Sequence, residues 1–445
     1  MSSQSWIDTS MKGVAWTRSS REKRISRASL SSDADADLVV VGGGFLGLTA
    51  ALSAASNGLS VILVESGIVG VGASGRNGGF VVPHFPGAVR PQTVEQKLGA
   101  KKGQALNGLV AEGPNHIAAM NQRYGIQSDY EQNGWLQPAH SELSLTKVRA
   151  VYEDWKAFGA RVDWLDAGQV KDELGAAGYI GAWKNADGAI VNPLAQCLGL
   201  ARAAEAEGAL IYENTRVENI HQADGQKAQV TCKTASGTRR ITAKQVLVAT
   251  NAYTDPLGLP GQNKSIMSVR LFHCATAPMS REERKTILPN NNCFTDLRRS
   301  GGFGRFDAEG RFFGAGAVSV ALGQQHGERH ARKRMKTLFP QLRNNPLKWE
   351  DYWEGYCALT NDSLPLIMQM RPNVFSVIGF STRGVNLAQN IGLLMGEFFA
   401  EKRQLSDVPL ELVAGPKPIF MSGFKTAVGR QIFPLYQLKD RLKLT

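Results

Sequence analysis

The sequence predicts an α/β fold with a βαβ unit near its start, together with a later α+β part whose sheet is mainly antiparallel. Residues 35–41 are an apolar, β-branched run of strand length, residues 48–57 are rich in Ala and Leu as in a buried helix, and residues 59–64 form a second apolar run. Residues 268–320 alternate in short β-like runs separated by glycine-containing turns, as antiparallel strands do. Two kinds of sheet are therefore expected in one chain.

A glycine-rich turn joins the first predicted strand to the helix. Residues 42–47 read Gly-Gly-Gly-Phe-Leu-Gly and fit G-x-G-x-x-G, and the second strand ends on Glu65. In such units the glycines allow a tight turn, close approach of a pyrophosphate and close packing of helix on strand, while the acid binds ribose. An acid at this position repels a 2′-phosphate, which disfavours NADP. The residues predicted to bind a dinucleotide here are Gly42, Gly44, Phe45, Leu46, Gly47, Glu65 and Ser66.

The length and composition are those of an ordinary globular protein. At 445 residues the chain exceeds a single small core, which favours two interleaved domains. Hydrophobic residues make up 43% and charged residues 20% of the chain, which is typical of this class. His326 and His330 share i, i+4 spacing, but no third ligand accompanies them, so we interpret them as solvent-facing side chains and expect no metal.

The cysteines and the N-terminal residues indicate the compartment. Five scattered cysteines without a C-x-x-C indicate free thiols in a reducing environment. The first thirty residues lack the apolar core of a signal peptide, and the apolar stretch 38–55 contains a glycine cluster and precedes a strand, so it predicts a buried βα unit and not a membrane span. We therefore expect a cytoplasmic protein.

A basic segment precedes the first strand and contributes to the net charge of +12. Nucleic-acid binding, attraction to an anionic membrane and a basic enzyme with an anionic substrate are three competing explanations. Because no recognisable nucleic-acid module is present, we favour a solvated extension, anchored at most by Trp6 and Trp16, and expect no nucleic-acid partner. The cations of this segment are Lys12, Arg18, Arg21, Lys23, Arg24 and Arg27.

Two further glycine-rich loops complete a recognisable pattern. Residues 72–79 read Gly-Ala-Ser-Gly-Arg-Asn-Gly-Gly, and residues 379–386 read Gly-Phe-Ser-Thr-Arg-Gly-Val-Asn. With the βαβ unit, these loops resemble the FAD-dependent oxidoreductases of the D-amino-acid oxidase superfamily, and within it the amine-oxidising group typified by γ-glutamylputrescine oxidoreductase. The collinear segments that carry the resemblance are 39–65, 72–80, 187–217, 246–254, 305–314 and 353–397.

The resemblance implies a Rossmann-like FAD-binding domain that is discontinuous in sequence and an α+β substrate domain with a mainly antiparallel sheet. Some relatives tether FAD through a Cys before Thr-Pro-Asp. Aligning residues 360–362 on that motif puts Gly355 at the tether position, with Cys357 two residues away, so non-covalent FAD is expected. The expected division is a basic extension at 1–34, the FAD-binding domain at 35–92, 187–255 and 352–410, the substrate domain at 93–186 and 256–351, and a C-terminal tail at 411–445.

The resemblance also implies which other residues contact FAD. The first loop runs beside the pyrophosphate, ribitol and isoalloxazine in the family, a backbone pair reads adenine, and a strand end closes the site. The second loop turns backbone N–H groups and a helix dipole toward the flavin N1–C2=O region, although Thr382 stands where the family usually has glycine. The implied residues are Gly72, Ala73, Ser74, Arg76, Asn77, Gly78, Val217, Thr250, Asn251, Arg383, Gly384, Val385 and Asn386.

Four residues are candidates for the substrate pocket. Arg305 matches a strand whose arginine faces the pocket in carboxylate-binding relatives, with a surface salt bridge as the alternative. His84 follows the first flavin loop, and Trp353 and Tyr356 are aromatic residues that either cage an amine or belong to the core. Arg298 and Arg299 are adjacent, so on a strand at most one of them points inward.

The resemblance implies oxidation of a C–N bond in an amine or amino acid to an imine, which hydrolyses to an aldehyde or keto acid. The flavin accepts the hydride, so no catalytic residue is assigned. The basic balance and Arg305 suggest an anionic group on the substrate. The alternatives are dehydrogenation of a hydroxy acid or polyol, a flavin-bearing electron-transfer subunit, or an RNA-associated module. Oxygen and an electron-transfer partner are both open as electron acceptor.

Overall fold

Two large β-sheets organise the chain. The computed structural model describes residues 10–222, 227–254, 257–317, 323–421 and 433–445. Within these residues the α-helices are α1 Trp16–Ser19, α2 Phe45–Ser56, α3 Pro91–Leu98, α4 Ala100–Tyr124, α5 Glu142–Phe158, α6 Ala167–Leu174, α7 Pro193–Ala206, α8 Arg281–Arg284, α9 Gly323–Leu338, α10 Gly384–Phe399 and α11 Phe433–Arg441.

The strands of the first half of the chain are β1 Ala34–Val41, β2 Val61–Val64, β3 Phe80–Val81, β4 Trp135–Ala139, β5 Val162–Asp166, β6 Gly181–Asn185, β7 Ala189–Ile190 and β8 Leu210–Tyr212. The later strands are β9 Arg216–Gln222, β10 Ala228–Thr234, β11 Gly237–Val248, β12 Met267–Thr276, β13 Cys293–Thr295, β14 Phe303–Phe306, β15 Phe312–Ala317, β16 Trp349–Leu359, β17 Leu366–Arg371, β18 Val374–Ile378 and β19 Glu411–Ala414.

The first sheet contains the predicted βαβ unit. Its strand order is β19-β17-β18-β11-β1-β2-β8, with β10 and β9 attached beside β11. The strands β1, β2, β8, β11 and β18 run parallel, and Val39 of β1 lies between Ile62 and Val246 of its neighbours. The helix α2 is buried along almost its whole length, as its Ala- and Leu-rich sequence predicts. It packs against α10, where Ser53 Oγ donates to the carbonyl of Leu393 at 2.9 Å.

The second sheet is mainly antiparallel. Its order is β16-β12-β15-β14-β13-β4-β6-β5, and every neighbouring pair is antiparallel except β13 and β4. The predicted fold class, a parallel dinucleotide-binding sheet with an α+β partner, is therefore confirmed. The strand β16 belongs to this sheet, and β19 to the first one, so the sheets extend past the limits predicted at residues 352 and 410. The domain boundaries themselves remain a prediction.

The basic N-terminal segment packs on the protein. Trp16 is fully buried and stacks on Phe313 with a ring separation of 4.2 Å. Arg27 donates two hydrogen bonds to Glu205, at 2.7 and 2.8 Å. The expectation of a solvated extension is therefore wrong for residues 10–33, because acidic partners and aromatic contacts hold that segment in place. Trp6, the other predicted anchor, lies outside the described residues.

The structure also bears on the membrane, thiol and histidine predictions. No described helix is both long and apolar enough to cross a membrane. All five cysteines are free thiols. In the described ranges no cluster of three His, Cys, Asp or Glu side chains is arranged to hold a metal. His330 does not simply face solvent: it is half-buried, and its ring nitrogens lie 2.9 Å from the Ser300 carbonyl and 2.8 Å from the Gln437 amide.

Candidate active site

One cavity of about 480 Å³ is lined by residues of both sheets. At one end it meets the carboxyl ends of the parallel strands, at Val41 and Val64, where ligands bind in sheets of this kind. At the other end it meets the antiparallel sheet at Leu271, Phe303 and Tyr356. A ligand that fills the cavity therefore touches the dinucleotide turn with one end and the antiparallel sheet with the other.

The turn after β1 is shaped for a ligand that approaches the backbone. Gly42 has a φ of 114°, a left-handed conformation that glycine adopts without strain. A Cβ on Gly44 would stand 2.8 Å from Ser74 Oγ. Glu65 accepts N–H groups from Gly43 at 2.8 Å and Gly67 at 2.9 Å, and burial raises its pKa. The acid thus stabilises the turn by hydrogen bonds and also lines the cavity.

Three distant side chains hold the carbonyl groups of the loop at 72–79. Trp353 Nε1 donates to the Arg76 carbonyl at 2.7 Å, and Trp16 Nε1 donates to the Asn77 carbonyl at 2.8 Å. Arg305 Nη1 donates to the carbonyls of Gly78 at 3.2 Å and Gly79 at 2.8 Å. Four consecutive carbonyls are therefore fixed by donors from the N-terminal segment, β14 and β16. The loop residues that line the cavity are Gly72, Ala73, Ser74, Arg76, Asn77 and Gly78.

Arg305 is neither a pocket arginine nor a surface arginine. It is 1% exposed, is not part of the cavity wall, and also donates to the Val191 carbonyl at 2.8 Å. Burial lowers its pKa to about 10, so the guanidinium stays charged at neutral pH. Its ring neighbours are Trp16 and Phe313, at 5.3 and 5.9 Å. Both sequence-based interpretations of Arg305 are wrong, because the side chain turns toward the back of the loop at 72–79.

His84 lies behind the cavity wall as well. It is fully buried among tryptophan rings, and its Nδ1 accepts from Trp155 Nε1 at 2.8 Å. The Nε2–H then donates to the Gly87 carbonyl at 3.2 Å. Burial lowers the pKa of His84 to about 3, so the ring is neutral. The prediction that His84 lines the substrate pocket is wrong, since this aromatic cluster encloses it.

Of the two aromatic candidates on β16, one lines the cavity. Trp353 is 2% exposed and stacks on His273 at 5.4 Å, so it is a core residue behind the loop. Tyr356 lines the cavity, and its ring meets that of Tyr253 edge-on at 5.8 Å. The backbone N–H of Tyr356 also donates to the Tyr253 hydroxyl at 3.0 Å. Tyr356 therefore remains a substrate-side candidate, whereas Trp353 does not.

The second glycine loop reaches the same cavity at the start of α10. Thr382 has a φ of 70°, so the turn keeps a left-handed conformation although glycine is absent. Arg383 Nε donates to the His84 carbonyl at 3.1 Å, and burial lowers the pKa of Arg383 to about 10. Arg383, Gly384 and Val385 line the cavity. Asn386 instead turns inward, and its amide donates to two buried carbonyls, of Val82 and Val110.

The other residues predicted to bind the cofactor converge on this cavity. Two of the predicted residues do not line the cavity. One is Asn386, and the other is Gly47, which lies where α2 packs on β1. The remaining residues line the cavity: Gly42, Gly44, Phe45, Leu46, Glu65, Ser66, Val217, Thr250 and Asn251. Segments that are far apart in the sequence thus meet around one elongated space, and the site assignments remain predictions until a ligand is bound.

Sequence reasoning missed several residues on the antiparallel side. Arg298 and Arg299 both line the cavity, because they lie in a turn between β13 and β14 and not on a strand. Arg298 forms an ion pair with Asp296, while Arg299 is exposed. His273 also lines the cavity, and its Nδ1 has no hydrogen-bond partner in the part of the chain that the structure describes. No motif marks His273, whose position depends on the register of β12.

A family model described as FAD dependent oxidoreductase matches residues 37–398. The chain belongs to this family. The resemblance inferred from the sequence is thereby confirmed, and FAD is the cofactor of this oxidoreductase. The glycine turn, the α2 N-terminus and the two loops fit such a cofactor, because side chains at Gly42 and Gly44 would fill the space beside the backbone.

Individual relatives span nearly the whole oxidoreductase. It is 29% identical to the gamma-glutamylputrescine oxidoreductase of Escherichia coli (strain K12), over 93% of this chain and 95% of that protein. It is 31% identical to the probable oxidoreductase OrdL of Haemophilus influenzae (strain ATCC 51907 / DSM 11121 / KW20 / Rd), over 81% of this chain and 82% of that protein. The crystal structure of glycine oxidase from Geobacillus kaustophilus matches with a TM-score of 0.70 at 21% identity, covering 84% of this chain and 96% of that one, which shows the shared fold.

Cys357 bears on how this oxidoreductase holds FAD. The thiol lines the cavity, but burial raises its pKa to about 11, and the thiol form is a poor nucleophile. We expect acid precipitation to release all the flavin into the supernatant, from the wild type and from Cys357→Ala alike. A yellow pellet that becomes colourless in Cys357→Ala would show a thioether link instead.

His273 is expected to make the stability of the oxidoreductase depend on pH. Burial lowers its pKa to about 4, whereas the imidazole of an unfolded chain titrates near about 6.5. Between these values the unfolded chain binds a proton that the folded protein does not, so the free energy of unfolding falls as the pH is lowered from about 6.5 to about 4. His273→Phe keeps a ring on Trp353 and removes this titration. Urea unfolding at pH 7, 6 and 5 should show that the free energy of unfolding falls less with decreasing pH in the variant than in the wild type. An equal fall in both proteins would contradict the lowered pKa of His273.

Proposed function

We propose that this protein oxidises the C–N bond of a primary or secondary amine or amino acid to an imine, which water hydrolyses to an aldehyde or keto acid. When bound, FAD supplies the hydride acceptor. The names of its relatives support this substrate class, because they include a gamma-glutamylputrescine oxidoreductase and a glycine oxidase. The proposal rests on the composition of the cavity wall on the side of the antiparallel sheet.

The charge balance of that wall is the observation that carries the proposal. Arg298 and Arg299 line it, Asp296 neutralises Arg298, and Arg383 lines the same cavity from the loop before α10. Arg299 and Arg383 are not part of the ion pair between Asp296 and Arg298, and their positive charges disfavour a nearby ammonium. The pKa of a bound amine is therefore expected to be lowered, so that it loses its proton more easily. A neutral amine is the form that gives up a hydride from carbon. The same cations favour a substrate that also carries an anionic group, and we propose that Arg299 takes the role that the sequence suggested for Arg305.

Aromatic and imidazole groups complete this wall. Phe303 and Tyr356 contribute ring surface, which excludes water from the reacting carbon. His273 is neutral at pH 7, because burial lowers its pKa to about 4. A neutral imidazole nitrogen is able to accept a hydrogen bond from an amine N–H and so orient it. We therefore propose that His273 and Tyr356 orient the amine while the cations keep it unprotonated.

The test is the visible flavin spectrum of the purified protein under anaerobic conditions, with amines, amino acids, hydroxy acids and polyols added in turn. Bleaching by an amine that carries a carboxylate is the expected result, and Arg299→Met should raise the concentration needed. Readmitting air then distinguishes oxygen from an electron-transfer partner as acceptor. A protein that hydroxy acids bleach and amines do not would overturn the proposal in favour of C–O oxidation.

A further inference from the structure

The helix α11 turns its polar residues toward the rest of the protein. Asp440 is buried and accepts the backbone N–H groups of Ser300, at 3.0 Å, and Arg299, at 3.3 Å. Gln437 is hydrogen-bonded to His330 of α9 at 2.8 Å. These two contacts of α11 with the rest of the protein are polar.

The opposite side of α11 is apolar and exposed. Leu435 and Leu438 lie on α11, and Leu442 lies in the turn directly after it; they follow the spacing i, i+3, i+7 and are 44%, 50% and 59% exposed. Leu444 follows and is 59% exposed. We call these four residues the leucine face. Single exposed leucines are common, but four on one short segment form a contiguous feature that points to a partner.

The surroundings of the leucine face are basic. Residues 412–445 contain one acid, Asp440, which is buried against the Ser300 backbone. Lys439, Arg441 and Lys443 are exposed among the leucines. Leucines with cations beside them are the composition of helices that lie in the surface of anionic membranes.

The helix α11 adjoins the rim of the cavity through Tyr436. The ring of Tyr436, on α11, lies 5.5 Å from the guanidinium of Arg299, which lines the cavity. The same turn contributes Gly301 and Gly302 to the cavity wall. A surface docked on α11 therefore lies on a helix that contacts the rim of the substrate side.

We propose that α11 docks this protein on an anionic lipid bilayer, with the leucine face inserted at the level of the head groups. This peripheral contact goes beyond the proposed oxidation and needs no membrane-spanning helix. A second copy of the chain is a poorer occupant, because two such faces would bring their cations together. A nucleic acid would pair with the cations but leave the leucines in water.

The test is co-sedimentation of the full-length, FAD-loaded protein with vesicles of phosphatidylcholine alone or with phosphatidylglycerol. We expect binding to the anionic vesicles that weakens at high salt, and little binding to phosphatidylcholine alone. The double variant Leu438→Glu/Leu442→Glu should lose about tenfold or more of this binding, because both side chains are exposed and their replacement removes apolar contact with lipid.

The matched control is Leu210→Glu, which replaces a leucine that is 54% exposed at the start of β8 in the other sheet. It should bind vesicles like the wild type, and all variants should retain the flavin spectrum and the melting temperature. Equal vesicle binding by wild type and double variant, or no binding at all, would overturn the proposal. A wild-type dimer that the double variant converts to a monomer, without vesicle binding, would assign the leucine face to a second copy instead.

Discussion

Replacement of Gly47 by alanine is expected to abolish FAD binding and to lower the free energy of unfolding by about 3 kcal/mol or more. A Cβ on Gly47 would overlap the carbonyl oxygen of Gly42 and stand 3.1 Å from a methyl of Val40. Because the overlap is with backbone, it is relieved only when α2 moves away from β1. That movement also withdraws the helix N-terminus from the phosphate position. Urea unfolding and a fluorescence titration of apoprotein with FAD measure the two effects.

Gly108→Ala is the matched control for this substitution. Gly108 lies within α4, and no atom would stand within 4 Å of its added Cβ. Alanine there should leave FAD binding unchanged and stabilise the helix by about 0.5–1 kcal/mol. If Gly47→Ala unfolded at the same urea concentration as the wild type and bound FAD equally well, close packing of α2 on β1 would not be what the glycine provides.

Replacement of Arg305 by methionine is expected to destabilise the protein by about 3 kcal/mol or more and to weaken FAD binding. The side chain donates to the carbonyls of Gly78, Gly79 and Val191. The Gly79 carbonyl keeps the N–H of Val191, whereas those of Gly78 and Val191 would be left buried without this donor. Each unsatisfied buried group costs about 1–3 kcal/mol. Methionine keeps an apolar stem beside Trp16, so the loss reports mainly on the hydrogen bonds. Thermal melting and the dissociation constant for FAD are the measurements.

Two further arginine variants test whether the effect of Arg305→Met comes from the loss of the Arg305 hydrogen bonds or only from the loss of a positive charge. Arg305→Lys keeps the charge but replaces a planar fork of donors with a single ammonium, so it should recover only part of the stability. Arg299→Met removes an exposed arginine, should change the stability by less than about 0.5 kcal/mol, and should instead weaken binding of an anionic substrate. If Arg305→Met melted like the wild type but raised the KM for substrate, Arg305 would belong to the pocket after all.

The parts of the site that the sequence predicted well are local in the chain. The glycines at 42–47 and the acid at Glu65 act through backbone geometry, which a short segment largely determines by itself. The structure accordingly places the turn and Glu65 on the cavity, and leaves Gly47 in the packing role that the pattern assigns to its third glycine. The loop at 72–79 is recognisable for the same reason, since its four glycines lie within eight consecutive residues.

The substrate-side predictions failed where the direction of a side chain decides its role. Arg305 and Trp353 occupy strands whose neighbours turn them toward the loop at 72–79, and His84 is enclosed by three tryptophans from distant segments. Arg298 and Arg299 were assigned to opposite faces of a strand, but they lie in a turn where that rule does not apply. Pairing partners far along the chain set these directions, and a single sequence does not reveal them.

By itself, the sequence determined the α/β class, the dinucleotide turn and the kinship with FAD-dependent oxidoreductases, because strand and helix periodicity and glycine spacing are properties of short segments. Only the tertiary structure decided that the basic N-terminal segment holds the loop at 72–79 through Trp16, that His273 and Arg299 line the cavity, and that α11 exposes its leucines. Each of these depends on contacts between residues that are far apart in the chain, and burial and hydrogen-bond partners are assigned only when those residues meet.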